Sequence, residues 1–220
     1  MVKCVTRLMY HFVFFVFIRQ SCVGIITLIL GRRVTMKNER FITLKRCLHS
    51  EVIGLEKPFS WRRLIHRVIC CPDRRFMFWW RIANYLYHSG SKNKRKIAKK
   101  IEYKVRLKYG PEIGLGAIIG EGFGIPHAAG IVVSDRCIIG KNFRIRQNTT
   151  IGVKRGDTTG HIYIGNNVNV GCNTCIIADN ITIGDNVTIG AMSFVNKDIP
   201  DNAVYINIVT PSIKIVDTQP

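Results

Sequence analysis

Residues 111–200 contain two histidines, His127 and His161, and no others. Imidazole is the side chain best suited to take a proton from a hydroxyl near neutral pH. His127 follows the aliphatic Ile125 by two residues, and His161 ends the polar stretch VKRGDTTGH. Inserted loops are where sites tend to lie. A histidine in a turn is ordinarily a surface residue, but two in a stretch otherwise free of histidine make general-base chemistry the reading to test. Cys172 and Cys175 form one CxxC with no second pair and no nearby histidine. They read as thiols packed in a strand array, with no metal site expected. The eight cysteines have no framework spacing, so reduced thiols in a cytosolic setting are expected.

These groups must be positioned by something regular, and the regularity has a period of six. Aliphatic residues fall at Ile113, Ile119, Ile125 and Ile131, then at Ile139, Ile145 and Ile151. The series resumes at Ile164, Val170 and Ile176, and again at Ile183, Ile189 and Val195. Glycine follows eight of these positions, and Asn and Asp crowd the turns. A six-residue period marks a parallel β-helix, with each hexad a short strand and a bend. The aliphatic residue points inward, while Gly and Asn supply backbone conformations closed to β-branched residues. Such a stack needs capping at both ends. The eight-residue step from Ile131 to Ile139 predicts a small excursion there. The seven-residue step from Ile176 to Ile183 predicts an extra residue near Asn180.

The rest of the 220-residue chain is a different object. Residues 1–110 carry 25 Lys and Arg against 5 Asp and Glu, whereas residues 111–220 carry 8 against 9. With the whole excess of +19 in one half and no nucleic-acid-binding motif, a nucleic-acid partner is not expected. Residues 1–35 are an apolar extension, with Arg19 and Gln20 dividing two runs. They read as a membrane anchor or as a start assigned too early, with Met36 the first residue. Residues 36–110 read as basic helices. Asp73 is expected to cap one that stops at Gly90, and Ile97, Ile101 and Val105 stripe a second from Ser91 to Gly110. These helices are expected to pack on a neighbouring subunit. The alternative is contact with an anionic membrane surface, helped by Trp79 and Trp80. Residues 111–200 are the β-helix and 201–220 a tail.

Three segments, GIPHAAGIVV, TTIG with GDTTGHIYIG, and IGAMSFVNKDIP, resemble the hexapeptide-repeat acyltransferases. Within that superfamily the chain resembles the serine acetyltransferase group, and most of all its colanic-acid-type exopolysaccharide acetyltransferases. The resemblance implies a left-handed β-helix, homotrimers or dimers of trimers, and acetyl-CoA lying between coils. It implies His127 as the base, Glu112 as the carboxylate orienting it, and His161 as a residue that helps hold the acceptor or thioester. It also puts Gly171, Cys172, Ala191, Asn196 and Lys197 beside the coenzyme. Serine acetyltransferases commonly have an acidic residue before the first histidine and an arginine before the second. Here these are Pro126 and Gly160. A lost guanidinium is costly for a carboxylate, so the expected acceptor is a sugar hydroxyl in surface polysaccharide synthesis. The alternatives are serine O-acetylation in cysteine biosynthesis and a non-catalytic β-helix scaffold. The expected location is cytoplasmic, peripheral to or anchored in the inner membrane.

Overall fold

The computed structural model describes residues 36–154, 160–208 and 210, so the readings of residues 1–35 lie outside it. Two units meet between Glu39 and Arg40. The packing described below belongs to the second.

Helix α1, Met36–Leu48, runs into one π-helical turn, His49–Ile53. Helices α2 (Trp61–Cys70), α3 (Pro72–Tyr87) and α4 (Lys92–Tyr109) follow. Asp73 does not cap α3. Pro72 occupies the first helical turn and Cys71 the cap position, because proline has no N–H to leave unpaired there. Gly110 ends α4 at φ 97°, a conformation glycine reaches at little cost. The buried face of α4 is Ala98, Ile101 and Val105, while Ile97 is exposed. Steps of three and four hold one side of a helix, whereas repeated steps of four drift off it. This face packs on Ala83 and Leu115 of the same chain, where the sequence led us to expect a neighbouring subunit.

Residues 111–205 form a three-sided parallel β-helix. One sheet stacks β1 (Glu112–Ile113), β3 (Val132–Val133), β6 (Thr150–Gly152), β9 (Cys175–Ile177) and β12 (Phe194–Val195). A second holds β2 (Ile118–Ile119), β4 (Cys137–Ile139), β7 (Ile162–Ile164) and β10 (Ile181–Ile183). The third holds β5 (Arg144–Ile145), β8 (Asn169–Val170), β11 (Thr188–Ile189) and β13 (Val204–Tyr205). We call these the first, second and third sheets. All their pairings are parallel, one coil apart.

Twelve of the thirteen expected core positions are buried, and Ile125 is half-buried. Ile113, Val133, Ile151, Ile176 and Val195 stack along the first sheet. Ile131 does not belong to that column. Val133 takes its place, and Ile131 is buried at the preceding corner. The eight-residue step therefore runs from Ile125 to Val133, and the excursion falls on residues 126–129, not after Ile131. Asn142, Asn167, Asn186 and Asn202 have positive φ and form a ladder, each Nδ2 donating 2.9 Å to the next Oδ1. At another corner Gly130, Asn148 and Asn173 repeat the conformation, and Met192 completes it at φ 57°.

Ile164, Val170 and Ile176 lie on the second, third and first sheets, all fully inward. Ile164→Ala is expected to cost about 2–5 kcal/mol through a cavity between coils. Chemical unfolding measures it, and a loss well below that range would contradict the stack.

Helix α3 closes the open end of the β-helix. Trp80 Nε1 donates to the Ile113 carbonyl at 3.1 Å, and Asn84 Nδ2 donates to those of Leu115 and Ala117 at 2.9 Å each. Arg81 donates to the carbonyls of Ile119 and Gly120 at 2.7 Å each. Its remaining bonds go to Glu51 at 2.8 and 2.6 Å, and Glu51 Oε1 also accepts the Phe123 N–H. Both charges are almost fully buried. Burial raises the Glu51 carboxyl while Arg81 opposes the rise, and the Glu51 charge holds Arg81 above its ordinary pKa. Trp80 is 1% exposed, so it cannot serve as the membrane contact considered from sequence. Burial also pushes the Cys47 thiol up to about 11 and Cys137 to about 12, leaving both protonated and weakly nucleophilic.

Candidate active site

The residues singled out from sequence fall at two corners of the prism. The corner between the third and first sheets holds four of them. Gly124 bridges Arg144 at the third sheet, and Val132 begins the first, so residues 125–131 turn this corner with His127 among them. Two backbone bonds clamp the excursion beneath the next coil: Ile145 N–H to the Gly124 carbonyl, 3.1 Å, and Asn148 N–H to the Ala129 carbonyl, 2.9 Å. Arg146 and Gln147 lie between those two bonds. One coil further, Asn173 N–H reaches the Gln147 carbonyl at 3.1 Å, setting Gly171 and Cys172 above them. Met192 N–H then reaches the Cys172 carbonyl at 2.9 Å, which brings Ala191 over Cys172. The His127 side is exposed, as is Ala191, and Cys172 is half-buried.

Gly171 has a structural cause of its own. A methyl group there would stand 2.7 Å from Ala191 Cα, so the stack demands glycine whatever binds outside. Gly171 and Cys172, and Ala191 on the coil after them, are all small.

The corner between the first and second sheets holds His161, Asn196 and Lys197, while Glu112 lies apart from both at the start of the first sheet. His161 precedes β7, with its ring 6.0 Å from that of Tyr163. Asn196 and Lys197 follow β12 and are exposed. Residues 155–159 of the long loop lie outside the described residues. Within one chain, His161 and Lys197 are thus separated from His127 by the width of the first sheet.

Glu112 is at the start of β1, its side chain outward and accepting from Arg106 Nη1 at 3.3 Å. Among the described residues no hydrogen bond joins it to His127. The two segments do approach: a methyl group on Gly110 would be 3.9 Å from the Ala128 carbonyl oxygen.

Sequence reasoning missed Arg146 and Gln147. Arg146 Nη1 donates to Asn169 Oδ1 at 3.0 Å. Gln147 Oε1 is buried without a partner among the described residues, and such groups are exceptions in folded proteins. A signal was present. Gln147 follows Ile145 by two residues, as His127 follows Ile125, Cys172 follows Val170 and Ala191 follows Ile189.

The three-sided parallel β-helix of hexads agrees with the resemblance to the hexapeptide-repeat acyltransferases read from the sequence. Among particular proteins, the chain is 41% identical over 98 residues to WcaB of Escherichia coli K12, named for acetyl transfer in colanic acid biosynthesis. That match covers 44% of this chain and 60% of WcaB. It is 34% identical over 158 residues to a serine acetyltransferase of Synechococcus elongatus, covering 71% of this chain and 63% of the relative. The chain thus spans less than two thirds of either relative. Among solved structures, serine acetyltransferase 1 of Entamoeba histolytica superposes with a TM-score of 0.62 at 28% identity, covering 78% of this chain and 65% of that one. Soybean serine acetyltransferase complexed with serine gives 0.63 at 25% identity, over 76% and 68%. No protein-family model matches the chain. Among the described residues no helix is long and apolar enough to cross a membrane.

Proposed function

We propose that this protein is an acetyl-CoA-dependent O-acetyltransferase built on a left-handed β-helix, and that its acceptor is a sugar hydroxyl. The observation that supports the reading is the single corner that holds His127, Gly171, Cys172 and Ala191, with Arg146 and Gln147 on the coil between His127 and the rest. His127 takes the proton of the acceptor hydroxyl, and the oxygen then attacks the thioester carbonyl. The carbon–sulfur bond breaks, the acetyl group ends on the acceptor oxygen, and the proton goes to the departing thiolate. Glu112, near the same excursion, orients His127 or stabilises its charged form.

His161, Asn196 and Lys197 sit at the other corner of the same sheet. A trimer that sets this corner of one copy against the His127 corner of the next completes the site. Lys197 then offers charge to the coenzyme phosphates, and His161 helps hold the acceptor or thioester. Release of free thiol from acetyl-CoA, measured with an acceptor panel, tests the proposal. No release with any acceptor would leave the non-catalytic scaffold as the reading.

Serine is the second candidate acceptor, favoured by the serine acetyltransferases among the relatives. The surroundings of His161 argue against it. A methyl group at Gly160 would fall on the carbonyl oxygen of Asp179, so this backbone has no room there for an arginine. We expect L-serine to be a poorer acceptor than a sugar at equal acetyl-CoA. A kcat/KM for L-serine of about 10⁴ M⁻¹s⁻¹ or more, the ordinary range for an enzyme on its own substrate, would reverse that order.

A further inference from the structure

We propose that Arg146 forms an anion subsite beside His127, so that the acceptor carries a carboxylate or phosphate near the hydroxyl it presents. This rests on the acetyltransferase reading above and specifies its substrate class.

The corner is the unusual part of the β-helix. Its four stacked segments, 124–129, 144–149, 169–174 and 188–193, contain Arg144, Arg146 and His127 but no Asp or Glu. Composition does not explain this, since residues 111–220 hold as many acidic as basic groups to within one. The acidic residues lie outside these segments, Glu112 at the start of the first sheet with Arg106 as its partner. Glu121, Asp185 and Asp201 fall on the turns between the second and third sheets, while Asp135, Asp179 and Asp198 fall between the first and second. Three other cations that pack against the fold have acidic partners. Lys141 reaches Glu121 at 2.9 Å, Arg106 reaches Glu112 at 3.3 Å, and Arg81 reaches Glu51.

Arg146 is half-buried, and its one hydrogen bond among the described residues goes to a neutral amide oxygen of Asn169. A guanidinium has five N–H donors in a planar fork. One is used to fix the side chain, and the rest are unspent. Desolvating a cation without a carboxylate is unfavourable unless a ligand supplies the charge. Pinning by Asn169 also removes much of the rotamer freedom that an exposed arginine would lose on binding. Arg144 stands beside it, its stem lying over the backbone of Gly124. Thus Arg144 and Arg146 lie on the coil next to the His127 excursion, and Arg146 is the one held in place. A planar carboxylate or a phosphate oxygen pair is the chemistry it fits.

The experiment uses the full chain and acceptors in matched pairs, one member anionic and the other neutral. The pairs are glucuronic acid with glucose, glucose 1-phosphate with methyl glucoside, and L-serine with L-serinamide. Thiol release gives kcat/KM for each, with the neutral member reporting whether the site is intact. We expect at least one anionic sugar to exceed its neutral partner by about 10-fold to 100-fold, the scale of one charge-assisted pair. Arg146→Met should lower kcat/KM for the anionic member far more than for its neutral partner and so abolish that preference, with Arg146→Gln used if the Met variant is unfolded by circular dichroism. The carboxylate and phosphate arms separate the two sources. A serine preference that disappears in the variant would keep the subsite and overturn the sugar reading. Equal rates within every pair, or a preference unchanged by the substitution, would overturn the subsite. Absence of turnover with every acceptor would sink the acetyltransferase reading instead. Calorimetric titration with glucuronic acid and glucose 1-phosphate then decides the subsite, which stands only if binding is seen and is lost in Arg146→Met.

Discussion

His127→Ala is expected to lower the turnover rate by about 100-fold or more, the usual scale for loss of a general base. The fold should be untouched. The side chain is exposed, outside the aliphatic stack, and makes no hydrogen bond among the described residues. Its segment is held by backbone bonds at Gly124 and Ala129 that an alanine would keep. Steady-state thiol release, with circular dichroism as the control for folding, measures the effect. A rate near that of the unmodified protein in a folded variant would end the assignment of His127 as the base.

The second large effect concerns stability. Arg81→Ala leaves Glu51 as an uncompensated charge at 3% exposure and removes the donors to Ile119 and Gly120. Breaking one side of a buried pair costs about 3–5 kcal/mol. The double variant Arg81→Met with Glu51→Met should recover much of that loss, because it removes both buried charges together. Urea unfolding of the two variants measures the difference. A loss of about 1 kcal/mol or less for Arg81→Ala is what an exposed pair would give, and it would contradict the closing role of α3.

The stack was legible because a β-helix repeats one requirement on every coil. An inward position must be aliphatic, the residue after it must leave no Cβ against the next coil, and the turn must accept positive φ, so Ile and Val recur beside Gly and Asn. The register near His127 was not legible. Ile131, Val132 and Val133 are all aliphatic, and nothing in residue type says which one points inward. Only strand pairing picks Val133, and with it moves the excursion onto the histidine. The cap was hidden for a different reason. Glu51 and Arg81 stand thirty positions apart in a stretch crowded with charge, where each reads as a solvated residue. Arg146 was obscured by its neighbour Arg144 in the same way, although its offset from Ile145 already placed it at the His127 corner. Roles that depend on a second copy, as proposed for His161 and Lys197, leave no trace in the spacing of one chain.

The closure of one end by Trp80, Arg81 and Asn84 gives folding a direction. A solenoid coil gains most of its contacts from its neighbours, so growth proceeds fastest from an end where a satisfied edge already exists. Here that edge is the first coil, whose inner carbonyls are already bonded to α3. Each later coil pairs with the one immediately before it in sequence, so every step closes only a short loop and adds little entropic barrier. The β-helix would then zip outward from Ile113 toward Tyr205. Amide exchange in the native state should fall into the same order, slowest beside the helices and fastest at Val204 and Tyr205, which among the described residues pair on one side only.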